Sequence, residues 1–200
     1  MRKVFIAIMM CVPMLTMAQN TWEMENEQGV TVNPDSKYLA GAVPVVDGRV
    51  VFKTEISAPG KSKEQIYDIL LKYMTQLTKE KNQFEQSRLI VKDSIRYTLG
   101  GSYQEWLVFK NKPLVLDRTR FMYTITAQCE NGKAVIAMSR IYYLYDEERN
   151  PQTYKAEEWI TDEYGLKKSK EKLSKVTGKF RRKTIDRKDF LFGKFASLLK

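Results

Sequence analysis

The chain has 200 residues, 34 Lys and Arg against 24 Asp and Glu, and no histidine. Without histidine there are no Ser-His or Cys-His nucleophile pairs, none of the usual zinc ligand sets and no access to the commonest general base, so any chemistry must run on carboxylates or a lysine. With two cysteines and no Asp-rich loop of calcium type, neither a cofactor nor a metal is expected.

The N-terminus reads as a secretory leader over residues 1–18: Arg2 and Lys3, an apolar run from Val4 to Leu15, then Thr16-Met17-Ala18 before Gln19. The run is shorter than the roughly 20 apolar residues that span a bilayer. Cys11 follows Met10 rather than a small residue, which argues against acylation there and for cleavage after Ala18. The expected protein is therefore exported, periplasmic or extracellular, with Cys129 as its one cysteine and no internal disulfide. Its charge is uneven, with 14 Lys and Arg against 7 Asp and Glu from Lys155 to Lys200, but 18 against 17 from Gln19 to Tyr154. A basic end of this kind suits anionic lipid, polyanionic glycan or an acidic protein; nucleic acid is not an expected partner of an exported chain.

Residues 19–48 form an N-terminal arm punctuated by Pro34, Gly41, Pro44 and Gly48. Alternation over Val50, Phe52, Thr54 and Ile56 predicts a strand ending at Pro59-Gly60. Ser62 and Gln65 make a capping box, and Ile66, Ile69, Leu70, Tyr73, Met74 and Leu77 form one apolar stripe of the helix that follows. Leu89, Val91, Ile95 and Tyr97 predict a strand, turned at Gly100-Gly101 into Tyr103–Phe109. Phe121, Tyr123, Ile125, Ala127 and Cys129 alternate with polar residues, and Asn131-Gly132 turns that strand into Ala134–Leu144. Arg140 interrupts the apolar parity of this last strand, and Cys129 belongs to the apolar set of its own.

A tail helix over Tyr154 to about Lys175 and a short last helix begun by Asp186 and Asp189 complete the chain. The fold class is α+β: a twisted antiparallel sheet (strand, helix, four strands in two hairpins, helix) with helices on one face, spanning 49–146, and a basic helical tail, 147–200, packed on it.

The stretch from Tyr38 through Gly48 to Phe52, the Pro59-Gly60-Lys61-Ser62 lead into the helix and the run from Lys179 to Asp186 resemble an exported, DUF4468-like Bacteroidetes family of unknown function. The resemblance implies a fold similar to that of the TATA-binding protein over roughly residues 43–146, and brings no catalytic residues with it.

If Phe121, Tyr123 and Ile125 meet the helices, the other sheet face carries Arg96, Arg118, Arg120 and Thr124, which with Trp106 form the candidate ligand surface. Arg181, Arg182 and Lys183 are the candidate contact of the basic tail. The adjacent carboxylates Glu147-Glu148 and Glu157-Glu158 point apart and make poor acid/base pairs. The expected function is a non-catalytic binding module of the cell envelope, taking an envelope protein or an acidic or glycan ligand. A peripheral membrane protein docking through the C-terminal Phe190, Leu191, Phe195, Leu198 and Leu199, or a carboxylate- or lysine-dependent enzyme, are the alternatives.

Overall fold

A computed structural model describes residues 35–200; the expected leader and its expected cleavage after Ala18 lie outside the described residues. Chain order is β1 (Val45–Val46), β2 (Arg49–Val50), β3 (Phe52–Ser57), α1 (Lys63–Leu77), β4 (Arg88–Asp93), β5 (Thr98–Lys112), β6 (Val115–Glu130), β7 (Lys133–Tyr145), β8 (Gln152–Lys155) and α2 (Gly178–Leu199). β1 and β2 form a small hairpin, and the other six strands make one antiparallel sheet in the order β3-β7-β6-β5-β4, with β8 also on β7. Both helices lie on the face that carries Tyr103, Phe121, Tyr123, Ile125 and Tyr143, all buried.

Local signals explain much of this. Ser62 Oγ accepts from the Gln65 N–H while the Gln65 side chain accepts from the Ser62 N–H, so both halves of the capping box are present at the start of α1. Ile66, Leu70, Met74 and Leu77 are fully buried, each worth about 1.5–3 kcal/mol in transfer from water. Asn131-Gly132 joins β6 to β7, and Cys129 is buried among the apolar set of β6, its thiol pushed up to about 11 by burial.

Four expectations are corrected. Gly100 and Gly101 do not turn the chain; they lie inside β5, opposite Val91 and Leu89. A Cβ on Gly101 would stand 2.4 Å from the Tyr103 hydroxyl oxygen, so glycine there makes room for a ring folded over the strand. The turn is earlier, where Asp93 Oδ1 accepts the N–H groups of Ile95 and Arg96, and Ile95 is left exposed.

Arg140, with φ 52°, sits in a β-bulge: Met122 pairs with Tyr142 but Thr124 with Ser139. The bulge shifts the buried parity from Ala134, Ile136 and Met138 to Ile141 and Tyr143, which is why a single alternation could not be followed through Leu144.

No helix occupies 154–175. Gln152–Lys155 instead continues the edge of β7 beyond the end of β3, pairing with Tyr142–Tyr145, and only one helical turn, Ala156–Glu158, follows. Gly165 is held where a Cβ would meet the Ile160 carbonyl oxygen and the Arg181 side chain, both at 2.8 Å, so the chain bends back there instead of winding on.

α2 begins at Gly178, not at Asp186, and Asp186 and Asp189 lie inside it rather than in its first turn. Its buried face carries Phe180, Leu191, Phe195 and Leu199 together with two fully buried arginines, Arg181 and Arg187. Arg181 donates to the carbonyls of Tyr38, Leu39 and Ile160 and to Asp162. Asp186 accepts from the Tyr38 hydroxyl at 2.6 Å and pairs with Lys37, and burial with that carboxylate beside it pushes the Tyr38 phenol up to about 12.

Arg187 forks onto Glu105 of β5 through Nε (2.7 Å) and Nη2 (2.8 Å), both residues fully buried, and Tyr123 donates to the same carboxylate at 2.8 Å. Burial opposes the Arg187 charge, but Glu105, Tyr123 and Glu80 outweigh it and hold the guanidinium above its ordinary value. Burial raises Glu80, against the pull of Arg187.

Candidate functional site

The uncovered face of the sheet is polar at its centre and aromatic at one end. Thr124 lies at the centre between Ser102 and Ser139, half-buried and away from the aromatic end. At that end β5 brings Trp106 opposite Arg120 and Val108 opposite Arg118. The Arg118 guanidinium carbon stands 3.8 Å from the Trp106 ring centroid and that of Arg120 4.0 Å from Phe84, while Phe84 and Trp106 approach at 5.0 Å. Two rings in tilted contact thus stand between two guanidinium groups, each ring faced by one cation.

The two arginines also hold the β7–β8 connection. Arg120 forks onto Glu147 through Nε and Nη2, and Arg118 Nη2 donates to Glu148 at 2.7 Å. Successive carboxylates reach successive open-face positions of β6, so Glu147 and Glu148 act as ion-pair partners of the sheet. Beneath them on the covered side, Asp117 accepts from Tyr145 and Lys179.

Between this connection and the tip of the β5–β6 hairpin runs a cleft of about 660 Å³. Its walls include Trp106, Arg118, Leu144 and the hairpin residues Leu114, Val115 and Leu116. These three hairpin residues are exposed, Leu114 completely. Lys112, Arg118 and Arg149 face Asp117, Asp146, Glu147 and Glu148, so the lining is mixed in charge and not a cationic trap for an acidic ligand.

Of the five residues that the sequence put on one ligand surface, the structure brings Trp106, Arg118 and Arg120 together. Arg96 lies apart from them: it sits in the β4–β5 turn, eight β6 residues from the Trp106 level, or ~26 Å along the strand. Phe84, Glu147, Glu148 and the Leu114–Leu116 tip were missed as members. The tip did carry a signal, a run of three apolar residues just after Pro113, where a turn should be polar. The basic contact at the tail is also revised. Arg181 is fully buried and reaches no partner outside, Arg182 pairs with Asp35 and lies over Tyr38, and Lys183 is half-buried. Among the described residues, no group of three or more Cys, Asp or Glu is placed to hold a metal ion.

Residues 52–144 match the family described as a domain of unknown function, DUF4468, with TBP-like fold. The crystal structure of a DUF4468 family protein from Bacteroides ovatus is similar over 82% of this chain and 94% of that one, at 43% identity and a TM-score of 0.77. The chain belongs to the DUF4468 family. A TBP-like protein from Parabacteroides distasonis shares the fold at 20% identity and a TM-score of 0.64, over 78% of this chain and 96% of that one. Among proteins with curated descriptions, none matches. The alternation of β6, the capping box and the hairpin at Asn131-Gly132 are thus parts of a DUF4468 domain with a TBP-like sheet. The Arg118–Trp106 stack and its cleft lie within or beside the matched stretch.

Proposed function

We propose that this DUF4468 protein is an exported, non-catalytic binding module of the cell envelope, and that the cleft at the aromatic end of the open sheet face takes an exposed segment of an envelope protein. One observation carries the reading: three exposed apolar side chains of a hairpin tip, Leu114, Val115 and Leu116, border a groove whose floor is an arginine–tryptophan stack. Trp and Arg beside exposed apolar residues is the composition of protein-binding hot spots. The mixed charge of the lining favours a segment with both charges over a purely acidic ligand or glycan. A binding role is supported further by the engagement of Glu147 and Glu148 with arginines in a chain without histidine.

The leader-like residues 1–18 support export, and N-terminal mass spectrometry of envelope material should find Gln19 first. The test of the cleft is a pull-down from envelope extract with native protein beside Leu114→Asp/Leu116→Asp. A retained protein present with the first and absent with the second is the expected result. An identical retained set in both would remove the cleft from the function. Docking through the C-terminal apolar residues has little support, because Leu191, Phe195 and Leu199 are consumed by the core.

A further inference from the structure

Between the single turn at Ala156–Glu158 and α2 the chain makes a tight loop that neither the fold nor the cleft uses. Leu166 and Leu173 form an isolated antiparallel bridge, the Lys167 N–H donates to the Lys172 carbonyl at 2.8 Å, and the Lys170 N–H donates to the Lys167 carbonyl at 2.8 Å. Leu166 is buried and Leu173 packs against the core, so the stem is anchored; at the apex Lys170 borders a groove that also holds Glu157, Asp162 and Glu163, while the other lysines lie outside it.

From that apex Lys167, Lys168, Lys170 and Lys172 are exposed, as is Lys175 just beyond, with Glu171 the one acid among them. Among the described residues none of these five lysines makes an ion pair or side-chain hydrogen bond, as holds for Lys53, Lys72 and Lys92 elsewhere on the surface, so what sets the loop apart is the number of such lysines in one short segment. Lys167 and Lys172 stand directly across the stem, a like-charge pair that weakens a hairpin. Stability therefore does not account for the cluster.

We propose that this lysine loop is a docking surface for an anionic membrane. The residues at its two ends decide between lipid and other anions: Tyr164 is 46% exposed and Val176 60% exposed. Ammonium groups beside an exposed tyrosine and an exposed aliphatic residue suit the headgroup region, where aromatic rings settle and each lysine near the surface adds attraction. The loop holds no arginine to fork onto a single phosphate or carboxylate and no ring platform between its lysines for a sugar, so a diffuse layer of negative headgroups fits it better than a discrete acidic glycan. The surface is separate from the cleft, and either can be lost without the other.

The experiment is co-sedimentation of the purified protein with vesicles of phosphatidylcholine containing about one-third phosphatidylglycerol, at low salt, against phosphatidylcholine alone. Binding only to the anionic vesicles, weakening as salt is raised, is the expected result. In Lys167→Glu/Lys168→Glu/Lys170→Glu partitioning should fall by more than about a hundredfold, since each lysine near such a surface multiplies it about fivefold. Thermal melting checks the fold, and the corresponding Gln set replaces the Glu set if the reversal unfolds the loop stem. A control reversal of exposed Lys53, Lys72 and Lys92 separates the loop from net charge. Equal loss in the control, unchanged binding in the loop variant, or retention on heparin without vesicle binding would each overturn the proposal.

Discussion

The two faces of the sheet present the same chemistry under opposite conditions. On the covered face Arg187 forks onto Glu105 with Tyr123 donating beside it, all three out of water. On the open face Arg120 forks onto Glu147 and stacks on Phe84, with both charged side chains partly exposed. The geometry is nearly the same, and solvent decides the energetic result. Water screens the open-face pair to about 0–1 kcal/mol, whereas on the covered face removal of either partner strands an unpaired charge at about 3–5 kcal/mol. Arginine and carboxylate near one another therefore mark the α2 docking site in one case and leave a surface free for binding in the other.

The largest separation of the two faces should come from alkali. Burial raises the phenols of Tyr103, Tyr123 and Tyr143 on the covered face. A raised pKa means that the folded state keeps protons which the unfolded chain releases above about pH 10. Their contribution is whole below that pH and is lost as pH rises toward the folded values. Each tyrosine removes about 1.4 kcal/mol per pH unit, so the three together remove about 4. Urea midpoints measured from pH 9 to 11.5 should hold and then fall steeply. A flat profile would mean that the covered face is wet.

Next in size are the docking contacts of α2. Arg187→Ala and Glu105→Ala should each cost about 3–5 kcal/mol, while Arg187→Met/Glu105→Leu together should cost less than either, because no unpaired charge remains. Urea denaturation of the three variants beside the native protein tests that order, and a double variant as unstable as either single one would mean that the unpaired charge is not the cost. Phe195→Ala should cost about 3–5 kcal/mol by leaving a void beside Tyr73, whose ring it meets edge-on at 5.0 Å. A melting temperature unchanged by Phe195→Ala would mean that the end of α2 does not finish the core.

How far the sequence reveals this arrangement depends on the range of the interactions. The β6 alternation, the Ser62–Gln65 box and the Asn131-Gly132 turn are settled by residues a few positions apart, and all three are found in the structure. The start of α2 is not settled locally. Lys179, Arg181, Arg182 and Lys183 look solvated until Arg181 meets carbonyls of Tyr38 and Leu39 more than a hundred residues earlier. Gly101 reads as a turn for the same reason, since only the folded ring of Tyr103 shows what the missing Cβ is for. At the candidate site the parity of Arg118 and Arg120 was visible, but their partners Glu147 and Glu148 become neighbours only after β7 has run back alongside β6.

The smallest expected effect is the sharpest test of the open face. Arg118→Ala removes a stacked guanidinium from Trp106 and frees Glu148, yet both charges stand at the surface and water replaces what is lost. The stability change should stay within about 1 kcal/mol, and Arg120→Ala, whose fork and stack on Phe84 are better covered, should exceed it slightly. Any segment seated in the cleft would nevertheless feel Arg118→Ala, because the same guanidinium lines the groove beside Leu144. A variant that melts like the native protein but loses the retained envelope protein assigns Arg118 to binding. One that melts several degrees lower with binding unchanged makes the stack a brace for the hairpin, and the open face would then resemble the covered one more than its exposure suggests.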